Sequence, residues 1–119
     1  MTKVVFYRSG GVFYGFEESG HSGYADAGND ILCAALSAMS MLIINTVEVA
    51  YASDVDYDID EGATRIVVRS KSALPEYEED ERKRYAISGL FMSYFYQLND
   101  LVEEYYDNLS VDVKDIDYI

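Results

Sequence analysis

Hydrophobic and polar positions repeat at two different periods along this chain, and the switches between them mark its elements. Residues 3–8 (KVVFYR) and 12–19 (VFYGFEES) are rich in β-branched and aromatic side chains, with Ser9-Gly10-Gly11 between them. That pattern predicts a β-hairpin closed by a glycine-bearing turn. From Asp30 the period lengthens. Ile31, Ala34, Ala35, Ala38, Leu42 and Asn45 recur at spacings of three and four, and Leu32, Leu36, Met39 and Ile43 make a second apolar row. A helix apolar over most of its circumference is expected to be central and buried. Asn29 or Asp30 is its expected N-cap, because a side-chain oxygen there accepts a backbone N–H that the helix leaves unpaired.

Period two then returns. Val55, Tyr57 and Ile59 alternate with Asp54, Asp56, Asp58 and Asp60, which predicts a half-exposed strand with its acids on one face. Glu61-Gly62 reads as a turn and residues 64–70 (TRIVVRS) as the return strand. Arg65 and Arg69 are placed to pair with the acidic face, at roughly 0.2–1 kcal/mol per pair. Residues 72–84 (SALPEYEEDERKR) lead into a second long helix. The acids Glu76, Glu78, Glu79, Asp80 and Glu81 come before Arg82, Lys83 and Arg84, an order that suits the helix macrodipole. Ile87, Leu90, Phe91, Tyr94, Leu98, Leu101, Val102 and Tyr105 make its buried stripe. Gly89 costs this helix about 1 kcal/mol against Ala, and close packing on the first helix is the expected reason for it. Residues 110–119 (SVDVKDIDYI) read as a final edge strand, with Val111 and Val113 alternating with acids. The order ββαββαβ implies an α+β fold, a mostly antiparallel sheet with two long helices packed on it. With 119 residues and no repeat or linker, one domain over residues 1–119 is expected.

Composition narrows the function. Half of the residues are hydrophobic, enough for a core without disulfides or metals. Twenty-two acids against nine Lys and Arg give a formal charge of −13. This argues against direct binding to nucleic acid, where Lys and Arg supply the affinity. It favours encounter with a basic partner, or serves solubility alone. A single Cys excludes an internal disulfide and fits a reducing compartment. The apolar run before Arg8 is four residues long, whereas a signal sequence needs about 7–15. The long apolar stretch at 31–52 is interrupted by Ser37, Ser40, Asn45, Thr46 and Glu48, and reads as a core helix rather than a membrane span of about 20 apolar residues. A cytoplasmic protein without membrane contact is expected.

The candidate chemistry lies in residues 20–33 (GHSGYADAGNDILC), which hold the only histidine and the only cysteine. The thiolate is the nucleophilic form of cysteine, and a helix N-terminus or a neighbouring His favours it. If the helix begins near Asp30, Cys33 lies in its first turn, close to the unpaired N–H groups. His21 is then placed to take the thiol proton and return it to a leaving amine. Gly20, Gly23 and Gly28 allow the intervening loop of eleven residues to fold back, and N–H groups at the helix start offer an oxyanion hole. Spacing alone leaves other readings open. Cys33 on an apolar face also reads as an inert core thiol, and His21 as an ordinary loop residue. Asp30 reads as an N-cap or as the group that orients His21, and Asp26 as a solvated acid. A metal site is poorly supported, since zinc usually takes four ligands and the chain has one His and one Cys. The twelve tyrosines, among them Tyr94, Tyr96, Tyr105 and Tyr106, suit a core or a dimer face.

The same stretch resembles the signature of the ribosomal-processing cysteine protease family called Prp. The elements are Gly20-His21, Gly23-Tyr24-Ala25, Gly28, Asp30, Ile31-Leu32, Cys33-Ala34-Ala35 and Leu36-Ser37-Ala38. The tight match covers about twenty residues. The remainder agrees in length and element order, while the acidic approach to the second helix has no counterpart in the pattern. The resemblance implies a small cytoplasmic bacterial protease that needs no cofactor and forms homodimers. Its substrate would be the precursor of the large-subunit ribosomal protein numbered twenty-seven, shortened at its N-terminus after a pair of aromatic residues. It implies Cys33 as nucleophile and His21 as general base and acid. Gly20, Ser22, Gly23, Tyr24 and Asp30 would be supporting or substrate-binding positions, within a loop that closes over substrate.

Two readings compete with it. A non-catalytic acidic module that escorts a basic ribosomal protein would work without Cys33. A redox sensor acting through Cys33 would work without His21. Only the protease needs both.

Overall fold

The structure, a computed structural model, describes residues 1–20, 27–60, 62 and 64–118, with residues 27–30 described by their backbone alone. The order of elements is the expected one. Strands β1 (Thr2–Ser9) and β2 (Val12–Ser19) form the hairpin, and helix α1 spans Ala27–Asn45. A π-helical turn over Thr46–Ala50 continues it. Strands β3 (Asp56–Asp60) and β4 (Arg65–Arg69) follow, then a short 3₁₀ turn at Lys71–Ala73, helix α2 (Glu81–Tyr105) and strand β5 (Leu109–Asp115).

Among the described residues, five strands lie in the order β3-β4-β2-β1-β5. All pairs are antiparallel except β1 with β5, which run parallel. The hairpin turn is the pair Gly10 and Gly11, both at positive φ (56° and 80°), as a tight two-residue connection requires. One face of the sheet carries Val4, Phe6, Phe16 and Val68 into the core, against Leu32, Leu36, Ile43 and Ile44 of α1 and Ile87, Phe91, Tyr94 and Leu98 of α2. Phe6 is the aromatic centre, edge-on to Tyr94 and Phe95 at centroid separations of 5.6 and 5.3 Å. Such pairs add about 0.5–1.5 kcal/mol each beyond the area they bury.

The opposite face is more polar and is partly covered by the C-terminal tail. The Tyr14 hydroxyl donates to the carbonyl of Ile116 at 2.6 Å, and the Tyr118 ring packs on Tyr14 and Tyr77. The expected cross-strand register is present, with Asp60 opposite Arg65 and Asp56 opposite Arg69. The Arg65 Nε, however, reaches the other way, to Glu17 Oε1 of β2 at 2.6 Å. Strand β3 is exposed along its whole length rather than half-buried, because it is an edge strand packed chiefly on β4, whereas the opposite edge β5 packs on α2.

Three expectations about the helices change. Helix α1 is not wholly buried. Leu32, Leu36, Ile43 and the in-phase Ser40 face the core, whereas Ile31, Ala34, Ala38, Leu42 and Asn45 are exposed. The span Ile31–Ala50 is long and apolar enough to cross a membrane by composition, and six of its residues are packed into this core. Gly89 does not mark a close helix crossing either, since a Cβ built there meets nothing within 4 Å. Helix α2 starts later than its acids suggested. Asp80 is its N-cap, accepting from the backbone N–H groups of Arg82 and Lys83, and these bonds hold its carboxyl below the ordinary value.

Candidate active site

Two short segments carry the candidate residues, the end of β2 and the start of α1. At the end of β2, Gly20 has φ +84°, and a Cβ there would lie 2.3 Å from the carbonyl oxygen of Met1. Only glycine fits that conformation and that close approach. His21, Ser22, Gly23 and Tyr24 lie outside the described residues.

Helix α1 begins at Ala27, earlier than the expected cap at Asn29 or Asp30. The helical backbone takes in Gly28, Asn29 and Asp30, so the loop of eleven residues expected between His21 and Cys33 ends at Asp26 at the latest. Asp30 occupies the first turn, where an acid complements the macrodipole. Cys33 is the seventh residue, in the second turn rather than the first. Its N–H is therefore beyond the four that a helix start leaves unpaired. The side chain of Cys33 is partly exposed. An inert core thiol is normally fully buried, and Cys33 is not.

Sequence reasoning passed over a buried polar cluster next to these segments. Glu18 on β2 is fully buried, and its Oε1 accepts from Ser40 Oγ of α1 at 3.0 Å and from the Tyr94 hydroxyl of α2. The Tyr94 hydroxyl also reaches the carbonyl of Leu36, one turn beyond Cys33, at 3.5 Å. Burial first, and then the Glu18 carboxyl, raise the pKa of Tyr94 far above that of a free phenol, so it stays a donor. The sequence signal was phase. Glu18 alternates in step with Phe16, and Ser40 stands in the Leu32–Leu36–Ile43 row.

A cavity of about 360 Å³ opens on the polar sheet face, lined in part by Tyr7, Tyr14, Arg65, Arg69 and Lys114. Its polar groups are tied into structure. Glu17 bridges Arg65 and Tyr7, and the Arg69 guanidinium lies over the Tyr118 ring. Of the described candidates, neither Gly20 nor Cys33 lines it, and the helix that carries Cys33 packs on the other face.

With this geometry in hand, comparison with known proteins decides the family. Residues 1–110 match the family model described as cysteine protease Prp. The chain belongs to the Prp cysteine protease family. Its backbone is similar to the crystal structure of SMU.848 from Streptococcus mutans, with 26% identity and a TM-score of 0.78 over 98% of this chain and 96% of that one. It is also similar to the essential ribosomal processing protease Prp from S. aureus. In complex with a substrate peptide, that structure gives 19% identity and a TM-score of 0.77 over 96% of this chain and all of that one. With a covalently linked product peptide the values are 22% and 0.74 over the same shares. Comparison with curated proteins returns no match. The Prp model spans both candidate segments, the end of β2 and the first turns of α1.

Proposed function

We propose that this Prp protease removes the short N-terminal extension of the large-subunit ribosomal protein numbered twenty-seven during ribosome assembly. The observation that carries the reading is the Prp match over residues 1–110, in a chain whose one cysteine is partly exposed on α1. The S. aureus relative, a ribosomal processing protease seen with substrate and covalently linked product peptides, supports the substrate class and a covalent intermediate.

Cys33 is the nucleophile and His21 the general base and acid. His21 takes the thiol proton and the sulfur attacks the scissile carbonyl carbon. The carbonyl π electrons move to oxygen. As the C–O double bond re-forms, the C–N bond breaks and His21 protonates the leaving amine. Water, deprotonated by His21, then splits the thioester and frees the acid product. Gly20, Ser22, Gly23, Tyr24 and Asp30 support this pair or line the path of the substrate. The formal charge of −13 suits a basic substrate. One cysteine and no possible internal disulfide suit the cytoplasm. The protein acts on a protein substrate without contacting nucleic acid or membrane. It works as a homodimer, and the exposed apolar row Ile31, Leu42 and Val49 with Met41 is the surface that supports this.

The test is a peptide spanning the extension and the mature start of that ribosomal protein, incubated with wild type, Cys33→Ser and His21→Ala and read by mass spectrometry. One defined cut with wild type and none with either variant is expected. A peptide left intact by wild type yet bound tightly would replace the protease reading with an escort role.

A further inference from the structure

The buried Glu18 joins the two segments that carry the candidate pair. It lies two residues before Gly20, where contact with Met1 fixes the end of β2. Its Oε1 takes the Ser40 hydroxyl at 3.0 Å, and Ser40 lies seven residues beyond Cys33 on α1. Seven residues are close to two turns, so Cys33 and Ser40 share one side of the helix, about 10 Å apart along its axis. The same oxygen takes the Tyr94 hydroxyl, which also reaches the Leu36 carbonyl between those two positions. All three side chains are nearly inaccessible, with Glu18 0%, Ser40 1% and Tyr94 4% exposed.

An apolar core does not need a carboxyl here. Leu32, Leu36, Ile43 and Phe16 surround the same layer and would hold α1 to the sheet by burial alone. Apolar contacts are non-directional and let a helix slide or rotate by small amounts. The Ser40 hydrogen bond ties α1 directionally to Glu18 of β2, and Tyr94 of α2, bonded to the same oxygen, lies against the Leu36 carbonyl of α1, so the helix is referenced to the carboxyl at two points. Reacting groups misplaced by about 1 Å lose on the order of a hundredfold in rate.

We propose that Glu18 is a positioning residue of the protease, holding α1, and with it Cys33, in register with the end of β2, from which the chain continues to His21. This rests on the assignment of Cys33 and His21 as the catalytic pair. Glu18 touches no substrate and acts through the placement of these two groups.

The experiment compares Glu18→Met, which keeps the volume and removes the acceptors, with Glu18→Gln, whose amide oxygen can take both hydrogen bonds. Ser40→Ala serves as a milder break if Glu18→Met does not fold. For Glu18→Met, peptide cleavage is expected to lose about tenfold or more in kcat with KM changed less than about twofold, and Glu18→Gln to recover most of it. A second readout needs no substrate. The rate of Cys33 alkylation by iodoacetamide is measured in wild type, Glu18→Met, His21→Ala and the double variant. Glu18→Met is expected to slow alkylation in wild type and to add little once His21 is gone, the non-additivity of groups that act together. Wild-type kcat in folded Glu18→Met or Ser40→Ala, or an equal effect of Glu18→Met with and without His21, overturns the proposal. Alkylation that is indifferent to His21 in wild type overturns the catalytic pair itself, and Glu18's role falls with it.

Discussion

Ile31 and Leu32 are neighbours on α1 with opposite surroundings, Ile31 62% exposed and Leu32 1% exposed. Each heads an apolar row. The Leu32 row is the core of this domain, and the Ile31 row continues through Leu42 to Val49 on the outside. The proposed homodimer rests on these exposed apolar residues.

If that surface holds two copies together, a charge at its centre separates them. Leu42→Glu is expected to raise the dimer dissociation constant by roughly 30-fold or more, as at an interface hot spot. Its thermal stability as a monomer is expected to stay close to wild type, since Leu42 is exposed within the protomer. Analytical ultracentrifugation across a concentration series reads this. A wild type that is monomeric throughout, or a Leu42→Glu that dimerises as well, removes α1 from the interface.

The two rows also show where sequence reading stops. Periodicity gave the hairpin, both helices and the final edge strand, because periods of 2 and 3.6 are written directly into the chain. It did not say which row of α1 faces inward, because both are apolar and only tertiary packing separates them. Nor did it find Glu18 and Ser40, polar residues in phase with apolar ones. They are buried because they satisfy each other, a relation between β2 and α1 that no local pattern contains. The start of α1 was misplaced because Asn29 and Asp30 are good caps that also fit a first turn. At the candidate site, spacing alone left several readings of His21 and Cys33 open. The proposed protease reading of them rests on the resemblance of the whole stretch to Prp, and not on either residue alone.

The charge of −13 has a kinetic consequence. For the full-length ribosomal precursor, kcat/KM is expected to fall about tenfold or more as salt rises from roughly 0.05 to 0.5 M, because steering between opposite charges is screened. A short, weakly charged peptide with the same scissile bond is expected to change less than about twofold. Parallel salt profiles for the two substrates would leave the acidity to solubility.

Glu17 predicts a pH dependence of stability. Its carboxyl accepts from Arg65 Nε and from the Tyr7 hydroxyl, both at 2.6 Å, and the Arg65 bond foremost holds its pKa below the ordinary 4.5. Burial first, and then the bond to Glu17, push Tyr7 up to about 12. A depressed carboxylate stabilises the fold above its unfolded pKa, and that contribution is lost as pH falls through the folded value. A raised phenol stabilises below its unfolded value of 10.0, with the loss on rising through about 12. Urea midpoints of wild type and Glu17→Gln are therefore expected to differ near pH 7 and to converge as pH falls below 4.5 and through the depressed folded value. A constant gap across this range would show that the Glu17 network does not titrate with the fold.

Two glycines predict changes of opposite sign. Gly20 sits at φ +84°, and its Cβ would meet the Met1 carbonyl oxygen at 2.3 Å, whereas Gly89 lies inside α2 with open space around it. Gly20→Ala is expected to lose roughly 1–3 kcal/mol from the backbone conformation alone, and the contact with Met1 adds to that. Gly89→Ala is expected to gain about 0.5–1 kcal/mol, because it removes a flexible residue from a helix interior and strains nothing. Thermal unfolding of both variants beside wild type reads the signs directly, a lower Tm for Gly20→Ala and a higher one for Gly89→Ala. Peptide cleavage adds the functional half, since Gly20 immediately precedes His21 in the sequence while Gly89 lies in the helix that does not carry Cys33. Gly20→Ala is expected to lose activity at temperatures where it remains folded, and Gly89→Ala to keep it. A Gly20→Ala protein with full stability and full activity would mean that the approach to His21 does not depend on the turn against Met1.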